Sequence, residues 1–325
     1  AELSLLMGRA LMGLGDLVGA KVAFDAARSQ ETEALKPAIA VELAELCYAR
    51  GAFEDALSEA DVARGGDPKT ALRASNLIGK IRLAEGNWDV ADAHFANDAM
   101  VANAAGLVRE ALRARLNRAI AVLSKGLLDE ANAMLRAVLD DAQIADDQRA
   151  CAHALTNLAV VAWTRHDYGT ALDCLERTFA RRRALGSPAT IRHTVASLAE
   201  LRLRLGLYDH ASHTITFGRR GTMSPADASQ FAVVASRIAL AKGDSLTARR
   251  EIEAAIADAA SSSDQEWMAE AHRVAARISL DEGDVAACRL HLDKAAGTTD
   301  RSRAEHSLID ALASRAAGTV DIDAA

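Results

Sequence analysis

Apolar and polar positions along the chain fall into amphipathic segments separated by short turns, and one pattern marks the turns. A turn residue is followed two positions later by an apolar residue and five positions later by a small one, as in Gly15-Asp-Leu17-Val-Gly-Ala20. The other turns begin at Gly51, Gly86, Gly126, His166, Gly206, Gly243 and Gly283. Their spacing of 35 to 40 residues predicts two helices of about 14–18 residues per repeat, because apolar positions recur with a period of 3.6.

Two further columns of residues keep the same register. A small residue lies seven positions before each turn, namely Gly8, Ala44, Gly79, Ala119, Ala159, Ala199, Ser236 and Ala276. An apolar residue lies nine positions after most turns, namely Phe24, Phe95, Leu135, Leu175, Ile215, Ile252 and Leu292. Helices that cross closely need small residues where their backbones approach and a bulky residue beside each gap. We therefore predict a helical hairpin at each turn, with the glycine ending the first helix.

The four prolines support these boundaries independently. Pro37, Pro68, Pro188 and Pro225 each lie just before or at the predicted start of a first helix. Proline is tolerated there and costs about 3 kcal/mol inside a helix.

In all eight units the register of small residue, turn, apolar residue and alanine resembles the tetratricopeptide repeat (TPR), with three departures: His166, Ser245 and Cys288. HEAT and armadillo repeats do not share this turn register. The long period resembles arrays in bacterial signalling proteins, including kinesin-light-chain-like arrays and the sensor regions of NTPase-coupled transcription regulators. The resemblance implies an all-α fold, a right-handed α-solenoid superhelix of about eight hairpins plus a C-terminal end helix.

The expected organisation is one continuous solenoid over residues 1–317. Its units are about 1–36, 37–67, 68–107, 108–147, 148–187, 188–224, 225–264 and 265–300. An end helix over 302–317 is predicted to cover the last hairpin with an apolar stripe of Leu308, Ile309, Leu312 and Ala316. Residues 318–325 are expected to form a frayed tail. The chain starts at Ala1, already in a predicted helix, which is compatible with a fragment of a longer protein.

Composition narrows the class of protein. Alanine makes up 73 of 325 residues, aromatic residues 4% and the net charge is −7. The first two values favour helix over strand, and the acidity disfavours direct nucleic-acid binding. Charges interrupt every apolar run, so neither a membrane span nor a signal peptide is predicted. Four separated cysteines without a CxxC pair suggest a reducing compartment, and we expect a cytoplasmic location.

Motifs of catalysis are absent from the sequence. It has no P-loop, no GxSxG and no HExxH motif. His210 and His213 share a helix face but have no third ligand nearby in sequence, so no metal site is predicted. The expectation is a protein that is not an enzyme and needs no cofactor.

The resemblance implies that the first helix of each hairpin lines a concave groove. Counting back from the turns places in it Arg73, Asn76, Lys80, Arg113, Asn117, His153, Asn157, Trp163, His193, Ser197, Arg204 and Arg237. These residues are more basic and amide-rich than the chain as a whole. Asn117 and Asn157 lie at the same repeat position, and such amides resemble the peptide-clamping asparagines of TPR proteins. They can both donate to and accept from a peptide backbone.

Several functional hypotheses remain open from the sequence. The favoured one is a non-enzymatic scaffold or adaptor that binds a protein or an extended, acidic peptide in the groove. The main alternative is the ligand-sensing region of a larger signalling or transcription regulator. A groove that is a plain solvated wall is as compatible with these residues as a peptide-binding groove, and a small-molecule site and an enzyme are weaker alternatives. Charge complementarity would come from Arg73, Arg113, His193, Arg204 and Arg237, and an aromatic anchor from Trp163.

Overall fold

The computed structural model is helical throughout the part of the chain that it describes. It describes residues 1–186, 188–221, 223–262, 265–295 and 300–316, and their side chains except at 188–190, 262 and 300–306. The all-α prediction is confirmed. The helices within these ranges are α1 (Glu2–Leu14), α2 (Leu17–Arg28), α3 (Lys36–Ala49), α4 (Phe53–Ala63), α5 (Pro68–Ala84), α6 (Trp88–Ala104), α7 (Val108–Ser124), α8 (Leu128–Ile144), α9 (Gln148–Thr164), α10 (Tyr168–Leu185), α11 (Pro188–Arg204), α12 (Tyr208–Gly218), α13 (Pro225–Ala241), α14 (Ser245–Ser262), α15 (Gln265–Asp281), α16 (Val285–Lys294) and α17 (Asp300–Ala316).

The helices fall into two compact units. The first unit, Ala1–Ala189, contains α1 to α10. The second unit, Thr190–Ala325, contains nearly all of α11 and the helices that follow. Within each unit an odd-numbered helix and the next even-numbered helix form a hairpin. The expected single solenoid over 1–317 stays a prediction, and the expected tail at 318–325 lies outside the described residues.

The turn pattern produces the same backbone conformation at each hairpin. All eight turn residues have positive φ, from 62° at His166 to 83° at Gly15. The next N–H donates to a carbonyl five residues earlier, as Asp16 does to Leu11 at 3.0 Å, which is the bond that closes a Schellman motif. Glycine reaches this left-handed region without a steric cost. His166 adopts it in place of glycine, so the structure keeps the turn where the sequence departs from the pattern.

The small residues lie where the two helices of a hairpin cross. The residue five positions after the turn is completely buried in every repeat, whether alanine or, at the last repeat, Cys288. Seven positions before the third turn, Gly79 lies against the buried Phe95 ring, and a Cβ there would come within 2.5 Å of the ring. The predicted register is thus the packing register of the hairpins.

The end helix differs from its prediction in the face that it buries. In α17 the buried residues are Ile309 and Ala313, which pack with Ala276, Cys288 and Leu292. Of the predicted stripe, Leu308 and Leu312 remain 57% and 37% exposed and Ala316 is exposed. The prediction for those three residues was wrong, because an i, i+4 pair suffices to cover the α15–α16 hairpin. Ala317 lies outside the described residues.

First helices of successive hairpins contact one another. In the first unit α1, α3, α5, α7 and α9 form such a series, which we call the first inner wall. In the second unit ion pairs join α11 to α13, and α13 also packs on α15. We call these three helices the second inner wall. The predicted groove residues therefore lie on two described surfaces.

Candidate ligand-binding groove

A pocket of about 370 Å³ opens on the first inner wall. It is lined from four first helices by Met12, Glu45, Tyr48, Ala49, Arg73, Asn76, Leu77, Lys80 and Arg113. The predicted groove residues Arg73, Asn76, Lys80 and Arg113 are thus brought together, although two hairpins contribute them. The polar side chains of this pocket divide into paired and unpaired groups.

Arg73 is a paired cation. Its guanidinium contacts Glu42 at 2.7 Å and Glu45 at 2.8 Å, while Arg9 also contacts Glu42 at 2.8 Å. Burial acts to lower the pKa of Arg73, but the two carboxylates outweigh it and hold the pKa above its ordinary value. Arg73 is therefore occupied by structural ion pairs, which sequence reasoning did not foresee.

Lys80 and Arg113 are the unpaired cations of the pocket. Among the described residues neither forms an ion pair, and the buried Arg113 Nε has no hydrogen-bond acceptor. Lys80 Nζ lies 4.4 Å from the centre of the Tyr48 ring, a cation–π contact that holds the ammonium in the pocket. Burial lowers the pKa of both groups, and proximity to Arg113 lowers that of Lys80 further. An anion would relieve this cost.

The asparagines of the groove have unequal partners. Asn117 Nδ2 donates to Asn76 Oδ1 at 3.1 Å, and the buried Asn76 Nδ2 has no acceptor among the described residues. Asn157 Nδ2 donates to the carbonyl of His153 on its own helix, at 2.9 Å. The amide group with an unused donor is thus Asn76, whereas the sequence had drawn attention to Asn117 and Asn157.

A larger pocket, of about 600 Å³, lies between α7 and α9 and shares Arg113 with the first. Its lining also includes Arg109, Glu110, Asp147 and His153. The His153 side chain is exposed in the groove. Partial desolvation by the surrounding protein nevertheless lowers its pKa, and the charges of Arg182 and Lys80 lower it further. Because Arg113 lines both pockets, the two adjoin on the first inner wall.

Trp163 lies at the C-terminal end of α9. Its ring packs edge-on against Tyr168, with 5.8 Å between ring centres, beside the hairpin turn. Neither of the two pockets has Trp163 or Asn157 in its lining. The role of Trp163 as an aromatic anchor stays a prediction, and its described contact, with Tyr168, lies within the hairpin.

The second inner wall carries a network of paired charges. Arg237 contacts Glu200 at 3.5 Å and also Glu270, which binds Arg273 as well. Arg204 contacts Glu200 at 3.1 Å. Burial raises the pKa of Glu270, but Arg237 and Arg273 outweigh it and lower the value below the ordinary one. The predicted groove residues Arg204 and Arg237 are therefore engaged in ion pairs within their own wall.

The remaining predicted residues of this wall are open to solvent. His193 is exposed, and the hydroxyl of Ser197 donates to the His193 carbonyl at 3.1 Å.

Sequence reasoning missed the carboxylates that decide which cations are paired. A usable pattern existed, because Glu45, Lys80, Glu200 and Arg237 all lie six positions before a turn. Opposite charges in this column of neighbouring repeats form an ion pair for Glu200 and Arg237, whereas Glu45 pairs with Arg73 and not with Lys80. The sequence also gave no indication that Arg182 is buried, at 6% exposed, where its Nη2 donates to Thr156 Oγ1 at 3.2 Å.

Two searches of the described residues bear on other functions. No three of their His, Cys, Asp or Glu side chains are arranged to hold a metal ion. None of their helices combines the length and apolar character that a membrane span requires.

Solved structures similar to this chain are helical repeat proteins. No protein-family profile and no curated protein matches the sequence. A Rap protein complexed with Competence and Sporulation Factor has a TM-score of 0.62 and 12% identity, over 94% of this chain and 86% of the other. The Rap conjugation gene regulator of plasmid pLS20, in complex with the Phr* peptide, has a TM-score of 0.61 and 16% identity, over 86% and 75%.

A third similar structure is a signal-transduction ATPase with numerous domains from Pyrococcus horikoshii, which has a tetratricopeptide repeat sensor. Its TM-score is 0.63 at 14% identity, over 97% of this chain and 48% of the ATPase. The chain has the tetratricopeptide-type solenoid fold. The predicted resemblance is confirmed at the level of fold.

Proposed function

We propose that this TPR array is a non-enzymatic binding protein that holds an extended acidic peptide, or a partner segment of that kind, on the first inner wall. The observation that carries the proposal is the pair of unpaired cations, Lys80 and Arg113, beside the unused amide donor of Asn76. Buried polar groups are normally satisfied. Groups left open in a pocket are therefore candidates for contact with a ligand.

The charge of the pocket favours an acidic ligand. Arg73, Lys80 and Arg113 supply three positive charges in its lining, whereas Glu45 supplies one negative charge. The excess is local, because the chain as a whole has a net charge of −7. Such a patch raises the association rate and the selectivity for acidic partners.

The shape of the groove favours an extended ligand. Two pockets of about 370 and 600 Å³ share Arg113, so a ligand can occupy both along the series of first helices. The similar Rap structure with Phr* peptide provides a precedent for a peptide on this fold. Likeness of fold alone does not assign the ligand, and the proposal depends on the side chains of the groove.

The second candidate is the ligand-sensing region of a larger regulator. It is favoured by the similar signal-transduction ATPase, in which a TPR sensor is part of a longer chain. The same groove would then be the sensor. An NTPase or DNA-binding domain encoded in the same open reading frame would support this candidate, and its absence would leave the adaptor. In either case we expect a cytoplasmic location, since the four cysteines are free thiols.

The test is selection of peptides from a random display library on the whole chain, followed by fluorescence anisotropy. Selected peptides should be acidic, and Arg113→Gln should weaken their binding about tenfold. Arg136→Gln, at an exposed position of α8, is the matched control and should leave binding unchanged. Asn117→Ala with Asn157→Ala should weaken binding more than about fivefold, with the larger share from Asn117, which contacts Asn76.

The proposal fails if selected peptides bind the Arg113→Gln variant as they bind the wild type. It also fails if free acidic peptide does not displace any of the selected peptides from the chain. Circular dichroism of each variant should show an unchanged helical content, which separates loss of binding from loss of fold.

A further inference from the structure

We propose that the Lys80–Arg113 pocket binds a phosphate monoester dianion, carried by a phosphorylated side chain of the bound peptide. The inference deepens the proposed function and rests on it, because the pocket forms part of the same groove. It adds a chemical class of ligand group that the sequence had not suggested.

The charge around the pocket sets the charge of the group that fits it. Arg73 is neutralised by Glu42 and Glu45, whereas Lys80 and Arg113 have no described ion-pair partner. A carboxylate would compensate one of these two cations and leave the other unpaired. A phosphate monoester carries a charge near −2 at neutral pH and compensates both.

The donors of the pocket also suit a group with several acceptor oxygens. Arg113 and Lys80 line the pocket with a guanidinium and an ammonium, and Arg113 Nε–H and Asn76 Nδ2 lie just beneath its surface without an acceptor in the described structure. These donors come from α5 and α7, on two neighbouring hairpins. A tetrahedral group with three free oxygens can accept from two sides at once, whereas a planar carboxylate offers two oxygens in one plane.

The acidic neighbours of the pocket act on these cations at a distance and form no ion pair with Lys80 or Arg113 among the described residues. Glu45 lines the pocket and acts on both cations, but its Oε1 accepts from Arg73 Nε and Nη2. Glu110, one turn before Arg113 on α7, lines the adjoining, larger pocket and acts on Arg113, as does Asp98.

The experiment is calorimetric titration of the whole chain at constant ionic strength with N-acetyl-phosphoserine methylamide, its aspartate counterpart and inorganic phosphate. The phosphoserine compound should bind at least about tenfold more tightly than the aspartate compound. Lys80→Gln and Arg113→Gln should each weaken its binding about tenfold or more. Lys69→Gln, exposed on α5, and Arg136→Gln are matched controls and should have no effect.

Three results would overturn the inference. These are equal affinity for the phosphoserine and aspartate compounds, no loss in either groove variant, and tighter binding of inorganic phosphate than of the phosphoserine compound. Two independent variants keep the test valid if one of them does not fold.

The inference and the proposed function can fail separately. Selected acidic peptides that bind while the phosphoserine compound does not would contradict this inference alone. A phosphoserine compound that binds while no peptide does would contradict the proposed function.

Discussion

Arg113 in the first unit and Arg237 in the second both lie on first helices of their hairpins and face different neighbours. Arg237 contacts Glu200 and Glu270, whereas Arg113 has no ion-pair partner among the described residues. Both are arginines on a groove-facing helix, but Arg113 lies 13 residues and Arg237 six residues before the next turn. Neighbouring first helices place Glu200 and Glu270 in contact with Arg237, whereas the carboxylates near Arg113 act on it only at a distance.

This difference teaches that a basic groove residue has to be judged with the repeat beside it. When an arginine is paired across the wall, removal of its carboxylate partner destabilises the stacking of hairpins, because the arginine charge stays buried and loses that partner. An arginine without such a pair contributes little to stacking and stays available to a ligand. The two walls therefore allow a direct comparison of charge used for structure with charge available for binding.

The largest effect is expected from breaking the network of the second wall. Glu270→Gln should destabilise the second unit by about 3 kcal/mol, because Arg273, which is 2% exposed, loses its carboxylate. Arg113→Gln in the first unit should not destabilise it, because the change removes a cation whose burial lowers its pKa and which has no ion-pair partner among the described residues. Hydrogen exchange followed by mass spectrometry measures both on segments of each unit. Glu266→Gln, exposed on the same helix α15, is the control.

An equal loss of protection in the Glu270→Gln and Arg113→Gln variants would contradict the assignment of structural and free charges to the two walls.

The hairpin crossings should respond alike in both units. Ala131→Leu in the first unit and Ala248→Leu in the second should each cost about 2 kcal/mol, since both alanines are completely buried where two helices cross. Ala93→Leu, at an exposed position of α6, should cost little. Thermal melts measure this series. If Ala93→Leu lowers the melting temperature as much as the buried changes do, the packing register is wrong.

Acidification should weaken the second unit through His272. Burial lowers the pKa of His272 to about 4, and the neighbouring His291 and Lys294 lower it further. The Nδ1 atoms of His272 and His291 are 3.0 Å apart. The pKa of His291 is itself lowered by burial, by Lys294 and by Arg249. The folded state therefore holds His272 neutral while the unfolded state takes up a proton near pH 6.5. The stability that neutral His272 contributes is present above pH 6.5 and is lost as the pH falls towards 4. The free energy of unfolding should fall by roughly 2 kcal/mol.

Urea unfolding at pH 7.5 and pH 5.0 measures this loss, with hydrogen exchange to assign it to the second unit. His272→Gln should flatten the pH dependence. A wild type and variant with the same pH dependence would show that His272 is not the titrating group.

The smallest effect on stability is expected at Asp98 in the first unit, where the dependence on pH is opposite in sign to that of His272. Burial raises the pKa of its carboxyl, although Ser75 Oγ donates to Oδ1 at 2.6 Å, and Oδ2 is buried without a partner in the described structure. The contribution of Asp98 to stability is present at low pH and is lost as the pH rises through its raised pKa. Asp98→Asn should therefore stabilise the chain by about 1 kcal/mol at pH 7.

Denaturant unfolding at pH 7 and pH 4.5 checks this prediction. The gain in the variant should shrink at the lower pH, and a gain that grows there would contradict the sign.

The sequence was sufficient for the hairpins and insufficient for the groove. Turn residues such as Gly15 and His166, and the buried Ala20 and Ala131, could be predicted because their environment lies within one hairpin. The pairing of Arg73 and Arg237 could not, because it depends on which first helices are neighbours and on side-chain reach across them. The unused donor of Asn76 was hidden for the same reason, since it follows from the contact with Asn117.

The end helix illustrates the same limit at smaller scale. Its existence followed from the need to cover the α15–α16 hairpin. Its buried face did not, because Ile309 and Ala313 fit that surface while the larger Leu308 and Leu312 remain more exposed. The amphipathic pattern predicted a helix here, whereas the shape of the neighbouring hairpin determined which face of the helix is buried.

The most direct test of the account follows the arginine Nε–H resonances of the ¹⁵N-labelled chain while a selected acidic peptide is added. Arg113 Nε–H, which has no acceptor in the described structure, should shift and become protected from exchange, while Arg237 and Arg273 should not move. A peptide that shifts Arg237 or Arg273 and leaves Arg113 unchanged would contradict the claim that the free charge of the first inner wall holds the ligand.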